Sequence, residues 1–138
     1  MEKTKTFVLD TNTLVSAFLL SPSSIPAQAY YKAQAEGKIV LSDETFAEFN
    51  HVFIRPKFDR YLSLIKRMMI IEDLRDVMEL TPVNHIIKAS RDPKDDKYLE
   101  LAVSANVACI ITGDKDLLVL HPFQNIPILS AADFIKNF

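Results

Sequence analysis

The chain has 138 residues, 49% hydrophobic and 25% charged, which suits a single domain over residues 1–138 with its own core and no disordered tail. A net charge of -2, from 16 basic and 18 acidic residues, argues against non-specific, charge-driven binding to a duplex while leaving room for a local basic surface. The lone Cys109 reads as a packed thiol in a reducing compartment, no stretch approaches roughly 18 uninterrupted apolar residues, and the N-terminus enters a strand directly, so the expected location is cytoplasmic, without signal peptide or membrane span.

In chain order, Thr6 to Leu9 is the first short apolar strand, ending on Asp10 with Asn12 two residues on. Leu14, Val15, Phe18 and Leu19 then keep helical spacing, and "AYYKAQAE" before Gly37 predicts a second helix with a glycine cap. A strand follows at Ile39 to Leu41, and Ser42 reads as the N-cap of a helix carrying Phe46, Phe49 and Phe53. Phe58, Tyr61, Leu62, Ile65, Met68 and Met69 predict a further amphipathic helix, its two methionines in the core or on a dimer surface. "MELTPV" suits a short edge strand closed by Pro82, and "NHIIKASRDPKDD" a connecting loop. Leu99, Ala102 and Val103 mark another helix, Val107 to Ile111 and Ile126 to Leu129 two last strands, and Ser130 a final N-cap. The alternation predicts a three-layer α/β/α sandwich on a central parallel sheet, in which ligands bind beyond the carboxyl ends of the strands.

That rule directs attention to the acids. Asp10 and Asp114 both follow strands, and each has an ordinary alternative as an N-cap. Asp92 before Pro93 reads as an N-cap with Asp95 as its capping-box partner, which leaves Asp96 at the edge of an apolar helix face without a structural task. Glu48 lies beyond the first turn of its helix with no Lys or Arg four residues away. Four carboxylates converging on one rim would repel unless a cation neutralised them, and hard oxygen donors without a Cys or His cluster suit Mg²⁺ or Mn²⁺. The chemistry such a site supports is phosphodiester hydrolysis, with Asn12 and Thr112 as supporting polar groups.

In "VLDTNTLVSAF", "SDETFAEF", "DPKDDKYLELAVSA" and "IITGDKDLL", taken in that order, the chain resembles the PIN-domain ribonucleases, specifically those that act as toxins of prokaryotic toxin-antitoxin pairs. The resemblance implies an Mg²⁺- or Mn²⁺-dependent endoribonuclease with Asp10, Glu48, Asp96 and Asp114 as the catalytic, metal-holding acids and Asp116, Asn12 and Thr112 in support. Within "DPKDD" the capping argument favours Asp96, while a register shifted by one residue would favour Asp95, with Asp92 as a further auxiliary. The resemblance also implies an RNA substrate, a homodimer and an inhibitory antitoxin.

The stretch "RPKFDRYLSLIKR" carries five basic residues against one acid, so Arg55, Lys57 and Arg60, with Arg91, Lys94 and Lys97, are candidates for holding an RNA backbone. His51, His85 and His121 lack metal-ligand spacing, and two glycines, Gly37 and Gly113, cannot build a phosphate-binding loop. Two rivals remain: a haloacid-dehalogenase-like phosphatase, for which Asn12 is a poor general acid, and a non-catalytic PIN-like binding module.

Overall fold

A computed structural model of the chain describes residues 4–138. Five strands, β1 (Lys5–Leu9), β2 (Gly37–Leu41), β3 (Glu79–Leu80), β4 (Cys109–Ile111) and β5 (Ile128–Leu129), form one sheet in the order β3-β2-β1-β4-β5, with every pairing parallel. Alternate residues point to opposite faces, so Phe7, Leu9, Ile39, Leu41, Cys109 and Ile111 pack into one core and Val8, Val40 and Ile110 into another. The first core is covered by α1 (Thr11–Leu19), α2 (Ile25–Glu36), α3 (Asp43–Phe53), α4 (Leu64–Val77) and α7 (Ala131–Asn137). Helices α5 (Asp96–Ala105) and the short α6 (Lys115–Leu118) cover the second, which completes the expected three layers. No described helix is long and apolar enough to cross a membrane.

The serine caps lie where they are expected: Ser42 Oγ accepts from the Thr45 amide at 3.1 Å and Ser130 Oγ from the Asp133 amide at 3.1 Å. Gly37 does end α2, but not through a left-handed cap, since its φ of 179° is extended. Its requirement is steric. It pairs with Lys5 as β2 begins, and a Cβ there would lie 2.0 Å from the Lys5 carbonyl oxygen. Gly37→Ala is therefore expected to destabilise the fold by about 2 kcal/mol or more through overpacking against backbone, measured as a lower urea midpoint at unchanged slope.

One expected element is corrected. The single helix from Phe58 to Met69 is broken: Pro56–Phe58 is a 3-10 turn, and Ser63 caps a new helix by accepting from the Lys66 amide at 3.3 Å. With this start the inward positions of α4 fall to Arg67 and Leu74, so Ile65, Met68 and Met69 face solvent and neither methionine enters the core. Arg67 is 0% exposed. Its Nε donates to the Leu62 carbonyl at 2.9 Å, its Nη1 to those of Phe53 at 2.8 Å and Arg55 at 3.0 Å, and its Nη2 to Asp59. Arg67 thus ties the α3–α4 connection together and contributes nothing to a basic surface. Cys109 is also a core residue, and burial pushes its thiol up to about 12.

Candidate active site

β1 and β4 pair with Leu9 opposite Ile111, so the residues that follow, Asp10 and Thr112, leave the sheet side by side. This is the switch point, where the chain has run outward from β1 through β2 to β3 and returns to add β4 on the other side. Asp10 is both a cap and a rim carboxylate. Its Oδ1 accepts from the Thr13 amide at 2.9 Å and its Oδ2 from the Thr112 hydroxyl at 2.5 Å, which leaves a second lone pair on each oxygen. The Thr112 hydroxyl in turn accepts from the Asp114 amide at 3.0 Å, and Asp114 Oδ1 caps α6 by accepting from the Asp116 amide at 2.8 Å. Burial raises the Asp10 carboxyl above its usual range; hydrogen bonds from Thr112 and Thr13 offset this only in part, and the charge of Asp114 adds to it. A cavity of about 360 Å³ opens beside these groups, lined by Asp10, Asn12, Gly113 and Asp114 among others. Asn12 borders the cavity, while Thr13 and Thr112 hold the Asp10 oxygens.

The acids of "DPKDD" separate by geometry. Asp92 caps the 3-10 turn Pro93–Asp95, accepting from the Lys94 amide at 3.0 Å. Asp95 makes no capping bond. Instead, one oxygen each from Asp95, Asp114 and Asp116 lie within 4.8 Å of one another, and Asp95 Oδ2 is buried without a hydrogen-bond partner. Desolvation, reinforced by Asp114 and then Asp92, pushes the Asp95 carboxyl up to about 7. Crowded hard oxygens, one of them orphaned, are a donor set that fits a divalent cation of the Mg²⁺ or Mn²⁺ kind.

Asp96 is turned elsewhere. It accepts from the amides of Ala89 at 3.2 Å and Ser90 at 2.8 Å, while one and two turns further along α5 Glu100 accepts from the Ile87 amide at 3.0 Å and Ser104 from the Asn84 amide at 3.1 Å. Positions i, i+4 and i+8 of one helix thus pin the loop before it, and this is the task that the spacing around Asp96 did not reveal.

Glu48 already has partners. Its Oε1 accepts from the Tyr98 hydroxyl at 2.7 Å and its Oε2 pairs with Lys97 Nζ at 2.5 Å. Burial would raise its pKa, but the hydrogen bonds from Lys97 and Tyr98 outweigh that and hold it below the usual glutamate value. Lys97 is consequently buried, also donating to the Lys94 carbonyl, and is not an exposed contact for a phosphate backbone. Tyr98 further accepts from the Thr11 amide at 3.1 Å, joining α5, α3 and the start of α1. The sequence contained a signal for it, because a tyrosine beside the buried Leu99 needs a partner for its hydroxyl. Arg55, Lys57, Arg60, Arg91 and Lys94 are all exposed.

A parallel α/β sheet with carboxylates gathered at its switch point defines this chain as an α/β domain whose strand ends present a candidate cation site. A family model described as "PIN domain" matches residues 6–116, and the chain belongs to that family, which is in general one of nucleases that use divalent metals. It is also 35% identical over 125 residues to an uncharacterized protein of Methanocaldococcus jannaschii, an alignment covering 88% of this chain and 79% of the relative.

Proposed function

We propose that the protein is an Mg²⁺- or Mn²⁺-dependent endoribonuclease, and that it serves as the toxin of a toxin-antitoxin pair. The observation that carries the catalytic reading is the orphaned Asp95 oxygen within reach of Asp114 and Asp116 beside the buried Asp10. Asp95, Asp114, Asp116 and Asp10 would hold the cation, which when bound supplies neutralisation of the phosphate and a water of lowered pKa. Thr112 fixes Asp10 and Asp114 relative to each other, since one hydroxyl donates to the first and accepts from the amide of the second. Tyr98 and Lys97 hold Glu48 ionised at the margin of the site.

The test is cleavage of RNA in Mg²⁺ or Mn²⁺ beside EDTA and an Asp10→Asn variant. Activity should vanish in EDTA, return on adding the cation in excess, and be absent in the variant; cleavage that survives both controls overturns the reading. The toxin role is supported by the solvent-facing apolar side chains of Ile65, Met68 and Met69 on α4, which suit a protein partner such as a second copy or an antitoxin. Its check is growth arrest on expression, relieved by Asp10→Asn.

A further inference from the structure

A second cavity, of about 260 Å³, lies next to the first and shares Asn12 and Ser16 with it. Its remaining walls are apolar: Val15 and Leu19 from α1 face Phe58 and Tyr61 from the α3–α4 connection. Tyr61 is 51% exposed. The Arg60 guanidinium carbon sits 5.0 Å from the Tyr61 ring centre, and Lys57 Nζ sits 5.0 Å from that of Phe58. Among the described residues neither cation forms an ion pair, and Asp59, the one acid between Arg55 and Arg67, is taken by Arg67.

Resting on the endoribonuclease reading, we infer that this groove is the substrate's base-binding subsite: an unpaired nucleobase beside the scissile phosphate stacks on Tyr61 and Phe58, with Arg60 and Lys57 holding the flanking phosphates. Flat π surfaces bind any base when its own stacking partner is gone, so an aromatic pair selects single strands over duplex. A guanidinium over the ring places charge where the backbone must pass. Because Asn12 and Ser16 line both cavities, the groove borders the acidic one, and a strand held here passes its phosphate toward the carboxylates while Arg60 and Lys57 offset the acidity of the rim.

The test uses the full-length protein and a fluorescein-labelled single-stranded RNA oligonucleotide, with affinity read by anisotropy in an Asp114→Asn background and cleavage read in the otherwise native chain. Tyr61→Ala should weaken binding about tenfold and Tyr61→Phe restore it, as expected for loss and recovery of one stacked base. In cleavage the loss should fall on KM with kcat little changed, and an abasic nucleotide at the stacked position should cost the native protein the same factor but add nothing to Tyr61→Ala. Arg60→Gln should lower the salt dependence of binding by about one unit of slope. Equal RNA affinity of Tyr61→Ala and the native side chain overturns the subsite, as does a Tyr61-dependent self-association in sedimentation with no effect on RNA, which would assign the groove to protein. Tyr61-dependent RNA binding without any cleavage would instead remove the nuclease reading and leave the stacking subsite standing.

Discussion

Asp95→Asn is expected to lower metal-dependent RNA cleavage about a hundredfold or more, while Asp96→Asn stays within about threefold of the native rate. The first change removes a charged oxygen donor from the cluster with Asp114 and Asp116; the second leaves an amide oxygen that still accepts from the Ala89 and Ser90 backbone. The same pair of variants separates by stability. Because the Asp95 carboxyl is raised from 3.8 to about 7 in the folded protein, the folded state keeps a proton there that the unfolded chain has released. Stability contributed by this group therefore falls as pH rises through that window and stays low above it. Without added metal, Asp95→Asn should flatten that fall and make the protein more stable than the native chain at pH 7.5. An excess of Mg²⁺ should stabilise the native protein at that pH far more than the variant. Urea midpoints at pH 5 and 7.5, with and without Mg²⁺, read all four conditions, and an Asp95→Asn chain that cleaves RNA at the native rate would remove Asp95 from the site.

Arg67→Ala should destabilise the protein by about 3 kcal/mol. Truncation strands the carbonyls of Phe53, Arg55 and Leu62 and opens space where the buried side chain lay. Asp59 loses its partner as well, but it is 61% exposed and rehydrates at little cost. Arg67→Lys is not a conservative substitute, since one ammonium cannot span donors that point at four residues. If the urea midpoint of Arg67→Ala matched that of the native chain, the α3–α4 connection would have to be held by Ser63 and the turn alone. Because this connection carries Phe58 and Tyr61, Arg67→Ala should also blur the groove they line, whereas Gly37→Ala, on β2, should not.

Much of the molecule was legible from local pattern. Short apolar runs separated by helical spacings gave a parallel three-layer domain because strands buried on both faces need no polar alternation. Asp10 and Asp114 stood out because each terminates such a run, and both lie where β1 and β4 diverge. The hydroxyl of Thr112 was also in reach of inference, being the residue level with Asp10 on the neighbouring strand.

The rest depended on contacts between residues far apart in the chain. Spacing could not tell Asp95 from Asp96, because they are adjacent on a helix start and differ by a rotation; what separates them is a loop on one side and Asp114 on the other. Glu48 looked unpaired when only its own helix was considered, yet Lys97, 49 positions on in the sequence numbering, supplies its counter-charge and Tyr98 its hydrogen bond. The basic stretch from Arg55 to Arg67 offered Arg55, Lys57 and Arg60 as candidates for an RNA backbone, and tertiary structure divided its cations: Arg67 went inward to satisfy carbonyls, and Arg60 and Lys57 remained outside beside aromatic rings. The sequence by itself determined which elements form and which strand ends carry acids, since both follow from periods of two and 3.6 residues. Only the tertiary structure decided which carboxylate meets which partner, because an ionised group settles by the charges and donors that surround it in space.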